Sequence, residues 1–254
     1  MPGKIYFVGA GPGDPKLITL RGKELLEQAD VVIYAGSLVN PVVLEYSRKD
    51  AEMHDSAKMT LEQIEETISR SVLNAKLVVR LASGDPSIYG AVEEMSEILK
   101  SGEIPFEVVP GVSSFTAAAA ALQCELTVPD LVQTVILTRA EGRTKMPPKE
   151  QLEELAKHEC TIALFLSAAL ARKVQERLLT SYPPETPVAI VYKASWPDQK
   201  IIRGQLKELA DMMRKEKITM TAMIIIGKCL TARGHKSRLY DKTFSHSFRK
   251  ASAS

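Results

Sequence analysis

A chain of 254 residues, 45% hydrophobic and 25% charged, carries enough apolar material for a sizeable core, which excludes a largely disordered polypeptide. The formal net charge is only +2, but it is unevenly placed: residues 228–254 hold seven Lys/Arg and one Asp, so the tail is basic and the body mildly acidic. Cys124, Cys160 and Cys229 stand far apart without a C-x-x-C pair, and the four histidines show no ligand spacing, which argues against a disulfide framework and a zinc site.

The apolar run Ile5-Tyr6-Phe7-Val8 predicts a first strand, and GAGPGDPKLITLRGKELL, residues 9–26, leads from it into a helix over about 19–29. Gly9, Gly11 and Gly13 invite a dinucleotide-loop reading, yet the G-x-G-x-x-G spacing is missing. Pro12 also removes a backbone N–H, and Asp14 puts a negative charge where a phosphate would sit. The next run, VVIYAGS, ends in Ala35, Gly36 and Ser37 with no acid to hold a ribose. A plain strand-to-helix turn remains the competing reading of GPGDP.

ADVVIYAG, KLVVRLASGD and FEVVPGV predict further strands, with helices at about 60–74, 90–100 and 113–122. That alternation indicates parallel strands with crossover helices. QCELTVPDLVQ, residues 123–133, breaks the rhythm at Pro129. TVILTRAEG, CTIALFLSA, PVAIVYKASW, QKIIRGQL and AMIIIGK then restart it, with helices near 149–158, 168–180 and 205–215. Short connections between the late strands predict a mixed second sheet. The expected organisation is α/β throughout: an N-terminal α/β domain over 1–122, a linker over 123–133, a C-terminal α/β domain over 134–230, and a basic, disordered tail over 231–254.

Small residues collect where first-domain strands end, in ASGDPSIYG (82–90) and PGVSSFTAAAAAL (110–122), and ligands of open α/β sheets bind outside the carboxyl ends of strands. Asp85 is either a helix cap or, with the hydroxyls of Ser83, Ser113 and Ser114, part of a pocket for a small polar ligand. Arg139, Arg143 and Lys145 in LTRAEGRTKMPP either meet a polyanionic substrate or sit on an exposed loop. Trp196, the single tryptophan, either packs at a strand end or covers a flat ligand. The N-terminus has no signal-sequence pattern and no apolar run reaches about 18 residues, so a soluble cytoplasmic protein is expected.

Taken together and in order, GAGPGDP, SGDPSIYG, PGVSS, TRAEGRT and VYKASWPD resemble the tetrapyrrole methyltransferases, over residues 4 to about 230. The resemblance implies a two-domain α/β fold with the active-site cleft between the domains, S-adenosyl-L-methionine as cofactor, a tetrapyrrole substrate methylated on carbon, and a homodimer. It implies no metal, nucleic-acid or membrane partner. By motif, the cofactor falls to Pro12, Ser83, Gly84, Asp85, Ile88, Ser113 and Ser114, and by strand alignment alone to Leu166, Ala194 and Ala222. The family pattern often has Gly-Gly-Asp and Thr-Ala where this chain has Ser83-Gly84-Asp85 and Ser113-Ser114, which are small-for-small changes. By the same resemblance the glycine loop faces the macrocycle, so Gly11, Gly13 and Asp14 are expected at the substrate. Arg80, Arg139, Arg143, Lys145 and Lys193 are the cations expected to pair with its carboxylates. No catalytic base is identified; Asp14 and Asp85 are the candidates on the rim. TRAEGRT and YKASWPD favour the corrinoid branch of the family, and so cobalamin biosynthesis. Another methyltransferase of the same fold, acting on a different ring carbon, uroporphyrinogen III or rRNA ribose, and a non-catalytic cofactor- or tetrapyrrole-binding module are the alternatives.

Overall fold

The structure, a computed structural model, describes residues 3–237 and 241–251. Its contacts divide the chain into two units, Met1–Ala118 with Lys193–Gln199, and Ala119–Tyr192 with Lys200–Ser254. The division falls inside a helix, Ser114–Leu122, ahead of the 123–133 segment expected as a linker. The return of 193–199 to the first unit follows from the contacts of Trp196 described below.

In the first unit, β1 (Lys4–Gly9), β2 (Val31–Tyr34), β3 (Glu52–Asp55), β4 (Leu77–Ala82) and β5 (Phe106–Val109) form one parallel sheet in the order β3-β2-β4-β1-β5. Three helices, α1 (Leu20–Gln28), α2 (Leu61–Leu73) and α3 (Val92–Ser101), lie between its strands in sequence. Side chains alternate across a strand, so Val8, Val32, Val79 and Leu81 share one face with Leu25 and Leu26 of α1. Ile5, Phe7, Val31, Ile33 and Val78 share the other with Ile64, Ile68 and Val72 of α2 and Met95 and Leu99 of α3. Both faces are therefore covered, which is why the strands read as continuous apolar runs. The exception is β3, absent from the expected elements: EMHD is half-exposed and polar, and backbone pairing with β2 alone makes it an edge strand.

α1 and α2 begin where their caps dictate. Thr19 accepts from the Gly22 N–H at 3.1 Å, and Thr60 and Gln63 form a reciprocal capping box ahead of the Ile64, Ile68, Val72 stripe. The chain leaves β1 through α1 on one face and leaves the neighbouring β4 through α3 on the other. Adjacent strands whose exits diverge in this way open a crevice at their carboxyl ends.

The second unit holds β6 (Val135–Arg139), β7 (Thr161–Phe165), β8 (Pro187–Tyr192), β9 (Lys200–Gln205) and β10 (Ala222–Ile226), in the order β6-β7-β10-β8-β9. β6 and β7 are parallel and the remaining pairings antiparallel, the mixed sheet that the short late connections predicted. Ile162, Leu164, Ile190, Ile224 and Ile226 pack against Val174 and Leu178 of α6 (Ala171–Leu178) and Leu209 and Met213 of α7 (Leu209–Lys215). α5 is a short helix, Leu152–Ala156.

The tail expected to be disordered falls in part, at 238–240 and 252–254, outside the described residues. Within 241–251 the chain makes turns closed by paired backbone bonds between His246 and Arg249, at 2.8 and 3.0 Å, with Asp241 accepting from Thr243. None of the described helices is long and apolar enough to cross a membrane.

Candidate functional site

The carboxyl rim of the first sheet is built from backbone meeting backbone. The loops after β1 and β4 exchange two hydrogen bonds, Gly84 N–H to Gly11 O at 2.8 Å and Gly11 N–H to Gly84 O at 3.2 Å. The loop after β5 closes on both: a Cβ placed on Gly111 would stand 2.2 Å from Gly84 O and 2.7 Å from Gly9 Cα. Three strand-end loops can therefore converge only if glycine occupies the junction. This is what the alternating glycines after β1 do, in place of cradling a phosphate.

Asp85 clamps two of these loops. Its Oδ1 accepts from the Ser87 N–H at 2.8 Å and from the Ser87 hydroxyl, and its Oδ2 accepts from the Gly111 N–H at 2.8 Å. Partial burial works to raise its pKa, but these donors outweigh it and hold the carboxyl below the ordinary aspartate range. Such a carboxylate is fixed, ionised and poorly suited to taking a proton near neutrality. Asp14, the other acid considered as a base, caps the short turn Pro15–Leu17 by accepting from Lys16 N–H at 2.9 Å. Both acids act first on the loops they belong to.

A strap from residues 193–199 completes the rim. The Trp196 indole N–H donates to Pro12 O at 3.0 Å, and its ring lies so close to Gly13 that a Cβ there would stand 2.0 Å from Trp196 Cδ1. The Asp14 N–H donates to Ser195 Oγ at 2.9 Å, and buried Asn40 donates from its amide to Gly13 O at 2.8 Å. Gly11, Pro12 and Gly13 are buried as a result. Lys193 pairs with Asp198 at 2.6 Å and stands 5.3 Å above the Trp196 ring. Ala194 is buried, while Ser83 and Ile88 are half-buried, and Ser113 and Ser114 lie at the start of α4 (Ser114–Leu122). The structure thus gathers Gly11, Pro12, Gly13, Asp14, Ser83, Gly84, Asp85, Ile88, Ser113, Ser114, Lys193 and Ala194 in one unit.

Two rim residues escaped the sequence reading. Asn40 bridges the β1 loop to its own turn, accepting from Val42 N–H at 3.1 Å, and its signal was the Asn-Pro pair that opens a short helix. Asp55, at the end of β3, accepts on Oδ1 from Gly36 and Ala57 N–H groups at 2.9 and 3.0 Å. Those two donors hold its carboxyl below the usual aspartate range.

In the second unit, Ala222 opens β10 and pairs with Tyr192 of β8, and Leu166 directly follows β7, the other strand paired with β10. Leu166 is 65% exposed with φ 51°, and Thr221, just ahead of Ala222, has φ 53°. A leucine held in the left-handed region with its side chain in solvent is a costly arrangement of the kind that gathers at binding sites. Arg139 does not reach outward: it donates to Ala140, Thr144 and Lys145 carbonyls at 3.4, 3.3 and 3.2 Å, folding its own loop. Glu141 reinforces that loop by accepting from Met146 N–H at 3.0 Å and Gln151 at 2.7 Å, which lowers its pKa. Arg143 and Lys145 are left exposed on the folded loop.

Neither rim presents an activated nucleophile. Burial pushes the thiols of Cys124, Cys160 and Cys229 up, away from the reactive thiolate. Among the described residues no group of three His, Cys, Asp or Glu is placed to hold a metal ion. What remains is a rigid rim of backbone, hydroxyls and small side chains, an arrangement that positions reactants without bonding to them.

The sequence pattern of a family described as Tetrapyrrole (Corrin/Porphyrin) Methylases matches residues 4–210. The chain is 53% identical over 250 residues to the cobalt-precorrin-4 C(11)-methyltransferase of Methanocaldococcus jannaschii, covering 98% of this chain and 96% of that protein. Among solved structures, a cobalamin biosynthetic cobalt precorrin-4 methyltransferase superposes with a TM-score of 0.87 at 51% identity, covering 89% of this chain and 95% of the other. A uroporphyrin-III C-methyltransferase from Thermus thermophilus, solved with S-adenosylhomocysteine, superposes with a TM-score of 0.78 at 29% identity, covering 90% and 99%.

Proposed function

We propose that this chain, which belongs to the tetrapyrrole (corrin/porphyrin) methylase family, transfers a methyl group from S-adenosylmethionine to C11 of cobalt-precorrin-4 or its metal-free form in cobalamin biosynthesis. The observation that carries the reading is the 53% identity with the Methanocaldococcus jannaschii enzyme along nearly the whole of both chains. The rim is consistent with it. Ser83, Gly84, Ser113 and Ser114 offer backbone and hydroxyls with no bulky side chain, which suits the ribose and amino-acid ends of the donor. Ile88, Leu166, Ala194 and Ala222 are the apolar and small residues assigned to the same ligand.

When bound, S-adenosylmethionine supplies an electrophilic methyl group on a sulfonium. The chain's own residues supply placement. The Gly9, Gly84 and Gly111 junction fixes three loops, Asp85 ties two of them, and Trp196 covers the β1 loop. Holding two reactants in line is worth about 7–11 kcal/mol in favourable cases, and a rim with no nucleophile of its own has this as its main lever. Because the rim offers no nucleophile of its own, the electron pair for the new carbon–methyl bond would have to come from the macrocycle, with the donor's S–CH3 bond broken and S-adenosylhomocysteine leaving as the neutral thioether. Exposed Arg143 and Lys145 are assigned to the substrate's carboxylates. The same reading makes the enzyme a cytoplasmic homodimer, to be checked by light scattering on the purified protein.

The test is incubation with methyl-labelled donor and cobalt-precorrin-4, with the product located by mass and carbon NMR. One added methyl at C11 is expected. Methylation of uroporphyrinogen III instead would overturn the assigned substrate, and donor binding with no transfer to either would indicate a binding module.

A further inference from the structure

The segment Gly11-Pro12-Gly13 has almost no side chains with which to fix itself, so its position is set from outside. Three successive residues are each gripped by a side chain from elsewhere in the chain. Pro12 O accepts from the Trp196 indole at 3.0 Å, Gly13 O accepts from the Asn40 amide at 2.8 Å, and the Asp14 N–H donates to Ser195 Oγ at 2.9 Å. Two of these grips belong to the strap at 193–199. The third, Asn40, lies in the loop after β2 and is 7% exposed. Because β4 stands between β2 and β1 in the sheet, the bond from Asn40 to Gly13 reaches across the rim, past the end of the strand that leads into Ser83-Gly84-Asp85.

Capping alone does not explain an asparagine here. Asn40 Oδ1 accepts from Val42 N–H at 3.1 Å and opens the short helix Pro41–Tyr46, a task that serine, threonine or aspartate performs as well. What the amide adds is a donor, and that donor goes to Gly13 O, 27 residues upstream. The partners settle which way the amide points, since a carbonyl only accepts and a peptide N–H only donates. Without this donor the buried Gly13 carbonyl loses its partner, and a loop with two glycines has the freedom to shift in search of another. We propose that Asn40 is a positioning residue for the tetrapyrrole: acting through Gly13, it fixes the height of the glycine loop against which the macrocycle lies. A loop already held in its bound shape avoids the ordering cost that a mobile one meets at binding. Pro12, assigned to the methyl donor, keeps its own tie to Trp196, so the effect falls on the macrocycle. This rests on the methyltransferase reading given above and adds to it the residue that holds the loop in place from the sheet side.

The test compares wild type with Asn40→Ser, which keeps a capping oxygen and removes the donor, and Asn40→Asp, which keeps shape and cap but turns a carboxylate toward Gly13 O. Thr60→Ala, which strips the cap of α2 and leaves the rim untouched, is the stability control. Ligand-free melting is measured first, then fluorescence titration with uroporphyrin III as a stable carboxylated macrocycle and calorimetric titration with S-adenosylhomocysteine. Asn40→Ser and Thr60→Ala are both expected to melt about 2–4 °C below wild type, the shift that one lost hydrogen bond or cap brings in a chain of this size. Only the Asn40 variants should lose uroporphyrin III affinity, by about fivefold or more, with S-adenosylhomocysteine affinity staying within about twofold. The proposal is overturned if both affinities stay within about twofold, if both fall equally, or if Thr60→Ala loses macrocycle affinity to the same extent. It is also overturned if neither Asn40 variant folds, since the residue would then serve the fold, or if wild type itself does not bind uroporphyrin III, since the loop would then face no macrocycle. Failure of wild type to methylate cobalt-precorrin-4 would sink the functional reading separately, without touching these binding outcomes.

Discussion

Substituting Gly111 by alanine tests whether the rim is a backbone junction. The new Cβ would stand 2.2 Å from Gly84 O and 2.7 Å from Gly9 Cα, against an ordinary contact of about 3.4 Å or more. Both obstacles are main-chain atoms, so no rotamer change relieves them, and the β1, β4 and β5 loops must part by roughly 1 Å. Overpacking of that kind costs about 1–3 kcal/mol. Parting also stretches the 2.8 Å bond from Gly111 N–H to the Asp85 carboxylate, a charged hydrogen bond of about 1.5–3 kcal/mol. Reduced freedom of the unfolded chain returns about 0.4–1 kcal/mol. The net expectation is a loss of about 2–5 kcal/mol, which for a chain of this size is a fall of roughly 5–15 °C in ligand-free melting temperature. Gly142→Ala is the matched control, because its Cβ would meet only Leu170 Cδ1 at 3.4 Å, and its effect should stay within about 0.5 kcal/mol. Melting followed by circular dichroism decides the matter. A Gly111→Ala protein within about 1 kcal/mol of wild type, or a control equally damaged, would refute the junction.

The remaining predictions concern the residues around it. Trp196→Phe keeps a ring over Gly13 but strips the donor from Pro12 O, so about 0.5–1.5 kcal/mol of stability should go, read by urea denaturation; no change would show that the indole N–H does not hold the strap. Asp85 has a folded pKa below its unfolded value, so the unfolded chain binds the extra proton as pH falls. Its stabilisation is complete above about pH 4 and is lost as pH drops through the depressed folded value. Asp85→Asn should therefore show a flatter loss of stability than wild type below about pH 4, and superimposable curves would contradict the clamp. Arg143→Ala should weaken uroporphyrin III binding several-fold and leave S-adenosylhomocysteine binding unchanged by calorimetry, and equal loss of both would remove the division of roles.

The amino-acid sequence by itself determined the strands that bury both faces, because the apolar runs IYFV, VVIY and LVV are stabilised by cover on both sides of a parallel sheet. It also determined the glycine and small-residue loops at their ends, and from the order of five such motifs the family itself. It did not reveal β3, since an edge strand needs only main-chain pairing and EMHD carries no apolar run. Nor did it tell one cation from another. Arg139, Arg143 and Lys145 look alike in a row, and only folding shows Arg139 spent on its own loop while its neighbours stay exposed. The partnership of Trp196 with Pro12 and Gly13 spans more than 180 residues of chain. Local propensity carries no information at that range, and the tertiary structure alone decides it because only there do the two backbones come within reach of one hydrogen bond.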